Sequence, residues 1–137
     1  KMTHRYNRDQ HMENLYYTDR MGLRWIDIFQ GNTEFYSAAY WDLFTRMWRN
    51  GVPVRKTDAL GFMKGIKSAH TAGKYLDTAI DHGSLIETNN PEDARSKLLT
   101  LSPVMQQRLD VFFDTAVGEI RRASKLVDIK GPSPEDP

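Results

Sequence analysis

The residues of this chain that can do chemistry are few in kind. There are 19 lysines and arginines, 18 aspartates and glutamates, four histidines and no cysteine. Without cysteine there is no thiolate nucleophile, no thiolate metal ligand and no disulfide. That suits a reducing compartment, and a cytoplasmic protein is the expectation. His4, His11, His70 and His82 are scattered. His70 and His82 lie twelve positions apart in one helical pattern, too far along an axis to share a metal. No glycine-rich phosphate loop, nucleophile elbow or His-Glu-x-x-His motif occurs. Asp42, Asp110 and Asp114 read as helix-surface acids. Catalysis and cofactor chemistry are therefore not expected, and what remains is binding.

The donors for binding are Arg55, Lys56, Lys64, Lys67, Lys74 and Arg95, with Ser68, His70, Thr71 and Tyr75 among them. Bulk charge does not say what they bind, because the formal net charge is only +1. Their placement on elements has to say it. The chain of 137 residues has the length of one domain, and 11% aromatic residues argue that most of it folds. No apolar run approaches a membrane span, and no apolar segment near the start reads as a signal peptide.

Residues 1–14 are polar and read as a flexible arm. Residues 15–50 hold ten of the fifteen aromatics. Leu15, Leu23, Ile26 and Phe29 suggest one helix ending near Gly31 and Asn32. Thr33 can cap a second, with Tyr36, Tyr40, Leu43, Phe44, Met47 and Trp48 on its apolar side and Asn50-Gly51 as its stop. So many large rings in two short helices suggest a homodimer surface, with intrachain core packing as the competing reading.

Residues 54–66 read as a short helix with Leu60, Met63 and Ile66 inward. Ser68 can cap a second helix over about 69–82, whose buried side carries Ala69, Ala72, Leu76, Ala79 and Ile80. Leu85-Ile86-Glu87 and the run 97–101 read as strands joined by the polar turn 88–93. Two short helices followed by a hairpin make a winged helix-turn-helix over 54–101. Ser102 and Pro103 then open a long helix to about residue 129, and residues 130–137 form a tail without core residues, expected to be disordered. That last helix outruns a small winged lobe, so part of it needs a partner. The fold class is mainly α with a small β-hairpin wing, flanked by N- and C-terminal dimerisation helices.

The string 68–86, followed by Asp93-Ala-Arg95-Ser-Lys-Leu-Leu-Thr-Leu101-Ser102, resembles the MarR family of bacterial transcription regulators. The first part resembles that family's recognition helix and following strand, and the second its wing. Asp93, Arg95, Leu101 and the Gly83 turn are the distinctive matches, with Ala94 standing where the family usually has Gly. The resemblance covers about 54–127. It implies a homodimer with two winged lobes that binds pseudopalindromic double-stranded DNA, mostly as a repressor, in a family of which many members release DNA on binding small phenolic or other organic ligands. It also implies that Arg95 reaches the minor groove or a nearby phosphate.

A recognition helix reads the major groove with its exposed N-terminal half. Here that half carries His70, Thr71, Lys74 and Tyr75, with Ser68 at the cap and Tyr75 also able to serve the core. Arg55, Lys56, Lys64 and Lys67 are placed for phosphate contacts, which position without specifying sequence. Asp93 is expected to pair with Arg95 or to fix the wing turn. Tyr36, Tyr40, Trp41, Phe44 and Trp48 are a candidate ligand pocket, with core packing as the competing role. The stretch 51–101 has seven cations against six acids. That near-neutral balance keeps a second reading open, a winged protein-interaction module that no longer binds specific DNA.

Overall fold

The structure, a computed structural model, describes residues 3–134. In chain order it runs α1 (Arg8–Ile28), a single 3-10 turn (Thr33–Phe35), α2 (Ala38–Asn50), β1 (Val54–Arg55), α3 (Lys56–Leu60), α4 (Ala69–His82), β2 (Leu85–Asn89), β3 (Lys97–Leu101) and α5 (Pro103–Lys130). This is the mainly helical winged architecture expected from the sequence. The lobe of α3, α4 and a small sheet is flanked by α1, α2 and α5.

The sheet is antiparallel with order β1-β3-β2, pairing Val54 with Leu99 and Leu85 with Leu101. The hairpin was expected, and its third strand was not. The helix predicted over 54–66 is instead β1 followed by the single turn of α3. Pro53 and the β-branched Val54 favour extended backbone there, and Val54 is buried against the central strand β3. Gly61 ends α3, and residues 61–68 turn toward α4 with Met63 buried beneath them.

The α1 helix starts seven residues earlier than Leu15, so residues 8–14 are not an arm. Asn7 and Gln10 form a capping box, in which the Asn7 side chain accepts from the Gln10 N–H and the Gln10 side chain accepts from the Asn7 N–H. Gln10 and Glu13 are buried although polar, because α5 supplies their partners. The Gln10 amide donates to the carbonyls of Val127 and Pro132, Asn7 donates to the Lys130 carbonyl, and Lys130 pairs with Glu13. Arg5 donates to the carbonyls of Ser133 and Pro134. The predicted disordered tail is therefore helix at Lys130 and docked chain over 131–134. Its last three residues, like Lys1 and Met2, lie outside the described residues.

The long α5 packs along α1 of its own chain, running antiparallel to it, and leaves Val111, Val117 and Ile120 exposed. Arg20 donates to Glu119 at 2.8 Å, and Arg108 donates to the Ile28 carbonyl that closes α1. Between them lies the aromatic core. Trp25, Phe29, Phe35, Tyr40 and Phe44 are buried, with Phe29 and Phe35 stacked at 4.6 Å and Trp25 edge-on to Phe112 at 5.5 Å. These five rings fill the intrachain core, so they are not the homodimer surface predicted from their number. Thr33 is not a cap: it is the first residue of the 3-10 turn, whose N-cap is Asn32. Ser37 is the N-cap of α2, accepting from the Tyr40 N–H.

Candidate nucleic-acid interface

Ser68 begins α4 as its N-cap, its hydroxyl accepting from the Thr71 N–H at 3.3 Å. Gly83 ends it in the left-handed conformation, φ 86°, which a side chain disfavours. Ala72, Leu76 and Ala79 are buried against the lobe. At 100° per residue, the opposite side of the helix carries His70, Lys74, Asp77 and Asp81, all exposed. Thr71 is exposed at the edge of that side. The predicted readers His70, Thr71 and Lys74 thus share one outward surface in the first two turns. Asp77 and Asp81 continue the same stripe, so its C-terminal half is acidic.

Tyr75 is half-buried and faces inward, with its ring 5.1 Å from that of Tyr40. Its carbonyl also accepts from the Tyr40 hydroxyl at 3.0 Å. It supports α4 from beneath instead of reaching outward, which corrects its place among the readers.

At the wing, Asp93 does both things expected of it. Its Oδ1 accepts from the Arg95 N–H at 3.1 Å, fixing the turn, and lies 3.8 Å from the Arg95 guanidinium. The Arg95 side chain is 96% exposed, so that ion pair holds it only loosely. Lys97 donates to Asn89 across the hairpin.

The four cations expected to meet phosphates divide. Arg55, Lys64 and Lys67 are exposed. Lys56 is not free. It donates to Glu87 of β2 at 2.7 Å and lies 3.5 Å from Asp77 of α4. The hydrogen bond to Glu87, outweighing a desolvation penalty, raises its pKa, so it stays an ammonium bridging α3, α4 and β2. A cleft of about 550 Å³ lies between α3, α4 and the wing, and Lys56, Gly73, Asp77, Arg95 and Lys97 line it.

The predicted ligand-pocket residues separate as well. Tyr40 and Phe44 are closed in the core, and Tyr36 is exposed with its ring against Gly22 of α1. Trp41 and Trp48 do line a cleft of about 350 Å³, together with Arg46, Arg49, Phe62 and Phe113. Asp42 and Lys64 border it too. Arg46 lies 5.0 Å from the Phe62 ring centroid, and its Nε is buried without a hydrogen bond. Trp48 packs on Phe113 at 4.4 Å and donates to Asp110. The Lys64 N–H donates to Asp42, fastening the α3–α4 connection to α2. The spacing Trp41, Thr45, Trp48, Arg49 marks one face of α2 and was readable as such. Phe62 and Phe113 come from distant parts of the chain and carried no local signal.

Among the described residues, no group of three or more His, Asp or Glu side chains gathers to hold a metal, and no helix is long and apolar enough to cross a membrane.

No protein-family model matches the chain, and no curated protein matches it. Solved structures do. A probable transcriptional regulator from Pseudomonas aeruginosa superposes over 82% of this chain and 80% of its own, with a TM-score of 0.53 at 18% identity. BpsR of Bordetella bronchiseptica, whose DNA binding is regulated by 6-hydroxynicotinic acid, matches over 89% of this chain and 88% of its own. Its TM-score is 0.43 at 17% identity, too distant to bear on the argument. The fold of this chain is thus a winged helical fold shared with a bacterial protein described as a transcriptional regulator.

Proposed function

We propose that this protein is a sequence-specific, double-stranded DNA-binding transcription regulator of MarR type, a cytoplasmic homodimer acting as a repressor. The observation that carries the reading is the common exposure of His70, Thr71 and Lys74 on the outer side of α4, together with the exposed Arg95 of the wing. An α4 from each protomer enters the major groove, Arg95 takes the adjacent minor groove or a phosphate, and Arg55, Lys64 and Lys67 dock the backbone. Exposed apolar side chains on both long helices, among them Leu23 of α1 and Val117 and Ile120 of α5, support the dimer. Two lobes fit an inverted repeat whose half-sites lie about 34–36 Å apart, one turn of DNA.

The cleft at Trp41 and Trp48 supports control by a small aromatic or organic effector. Its rings offer apolar walls, and Arg46, Arg49 and Lys64 outnumber Asp42, which favours an acidic ligand. Because Phe62 and Lys64 belong to the connection that leads into α4, a ligand seated there changes the angle of the recognition helix.

The second reading, an interaction module, draws on the acids Asp77 and Asp81 on the same outward stripe. Selection from random-sequence duplexes separates the two. A regulator enriches an inverted repeat, and Arg95→Ala and Lys74→Ala weaken binding to it. No enrichment, with weak salt-sensitive binding indifferent to both substitutions, overturns the regulator reading.

A further inference from the structure

The mechanism proposed above uses the basic half of the α4 stripe and leaves the acidic half without a task. Asp77 is placed to have one. It lies three residues beyond Lys74 on the outer side of the helix, and its side chain is 66% exposed. It borders the cleft that opens between α4 and the wing. Gly73, one turn earlier on the same cleft, adds no side chain to the opening beside Asp77.

Asp77 is also held in place. Lys56 Nζ sits 3.5 Å from its Oδ1, and Lys56 is anchored by its 2.7 Å bond to Glu87 on the strand behind. A lysine used as a simple phosphate contact would project freely into solvent. This one is directed at an outward carboxylate and fixed from the far side, which is the arrangement of a positioning group.

We infer that Asp77 reads a base in the operator, accepting a hydrogen bond from the exocyclic amine of a cytosine, and that Lys56 and Glu87 position it to do so. The choice of base follows from groove chemistry. An ionised carboxylate only accepts. Cytosine presents an N4 donor in the major groove, whereas adenine sets the N7 acceptor beside its N6 donor, and guanine and thymine present acceptors. A carboxylate is repelled by guanine and thymine, and adenine's N7 offsets its N6 donor, so cytosine is the best match. The same repulsion makes Asp77 a filter against wrong sequences, a discriminating role open to a negative charge on a DNA-facing helix. An amide differs, because it can donate to N7 while accepting from N6, which selects adenine.

This inference rests on the DNA-binding reading, and the test separates the two. Duplex selection is run with the parent chain, Asp77→Asn and Lys56→Gln. The parent is expected to select an inverted repeat with cytosine at one position of each half-site. Asp77→Asn is expected to move that position alone toward adenine, reducing preference for cytosine about fivefold or more. Lys56→Gln is expected to relax the same position while leaving the dependence of affinity on salt unchanged. Loss of a phosphate contact would instead lower the salt slope by about 0.9. A parent motif unchanged by Asp77→Asn overturns the role of Asp77 while leaving DNA binding intact. A Lys56→Gln protein with a reduced salt slope and an unchanged motif overturns its positioning role. Failure of the parent to select any motif overturns the DNA reading and this inference with it.

Discussion

Tyr40 lies where α2 meets α4, and replacing it with Phe tests that junction through pH. The ring is 2% exposed, and its hydroxyl donates to the Tyr75 carbonyl at 3.0 Å. Burial, helped by Glu34 and the Tyr75 hydroxyl and opposed by a hydrogen bond with Thr78, pushes the phenol from 10.0 up to about 12. At neutral pH, Tyr40→Phe removes the hydroxyl's hydrogen bond to the Tyr75 carbonyl. The Tyr75 carbonyl lies inside α4 and keeps its place in the helical ladder, so the loss is about 1 kcal/mol. At high pH the sign changes. The native phenol keeps its proton while the unfolded one ionises, so the native state binds more protons above pH 10. The stability Tyr40 contributes is whole below the unfolded value and declines as pH rises from 10 toward 12. At about 1.4 kcal/mol per pH unit, the parent has lost about 1.4 kcal/mol by pH 11 through this residue alone. The variant does not share that loss. It should be less stable than the parent at pH 7 and slightly more stable at pH 11, with the order reversing in between. Urea unfolding of both proteins at equal concentration, followed by helical circular dichroism at pH 7, 9, 10 and 11, measures the difference. A difference that stays constant over that range would refute the argument that burial holds the phenol neutral.

Two further substitutions probe the parts that carry the interface. Phe44→Ala empties a fully buried position in contact with Trp25, Phe29, Phe35 and Tyr40 and should lower unfolding free energy by about 3–5 kcal/mol in chemical denaturation. A loss under about 1 kcal/mol would mean that the aromatic cluster is not the core of the scaffold. Gly83→Ala meets no steric obstacle from neighbouring side chains but forces a Cβ into a left-handed residue at φ 86°, a loss of about 1–2 kcal/mol visible in thermal unfolding. An unchanged midpoint would show that the α4–β2 turn does not need glycine.

Local signals account for most of the winged lobe's second half. Ser68 before α4, Gly83 after it, Ser102 and Pro103 before α5, and the polar turn between β2 and β3 each act over a few residues. Each was therefore legible in order along the chain. The exposed side of α4 followed from helical periodicity for His70, Thr71 and Lys74 but not for Tyr75, and Arg95 sits at the polar turn between β2 and β3. The first half was harder to read. Asn7 and Gln10 are polar, and polar residues near a terminus suggest fraying unless a distant partner is known. Here the partner is the backbone of residues 127–132, more than a hundred positions away. The pairing that makes Val54 a strand is equally remote, with Leu99.

The same division runs through the candidate site. The sequence by itself determined a helix with basic and hydroxyl groups at its exposed N-terminal end, a wing with an arginine tip, and an apolar set large enough to support them, because caps, turns and periodicity are short-range physics. Only the tertiary structure decided how the groups divide their labour. It tied Lys56 to Glu87 and Asp77, drew Tyr75 beneath α4, closed Tyr40 and Phe44 into the core and left Trp41 and Trp48 beside a cleft. Those assignments depend on which element packs against which, and a side chain's partner across the fold is set by three-dimensional neighbours that no local spacing encodes.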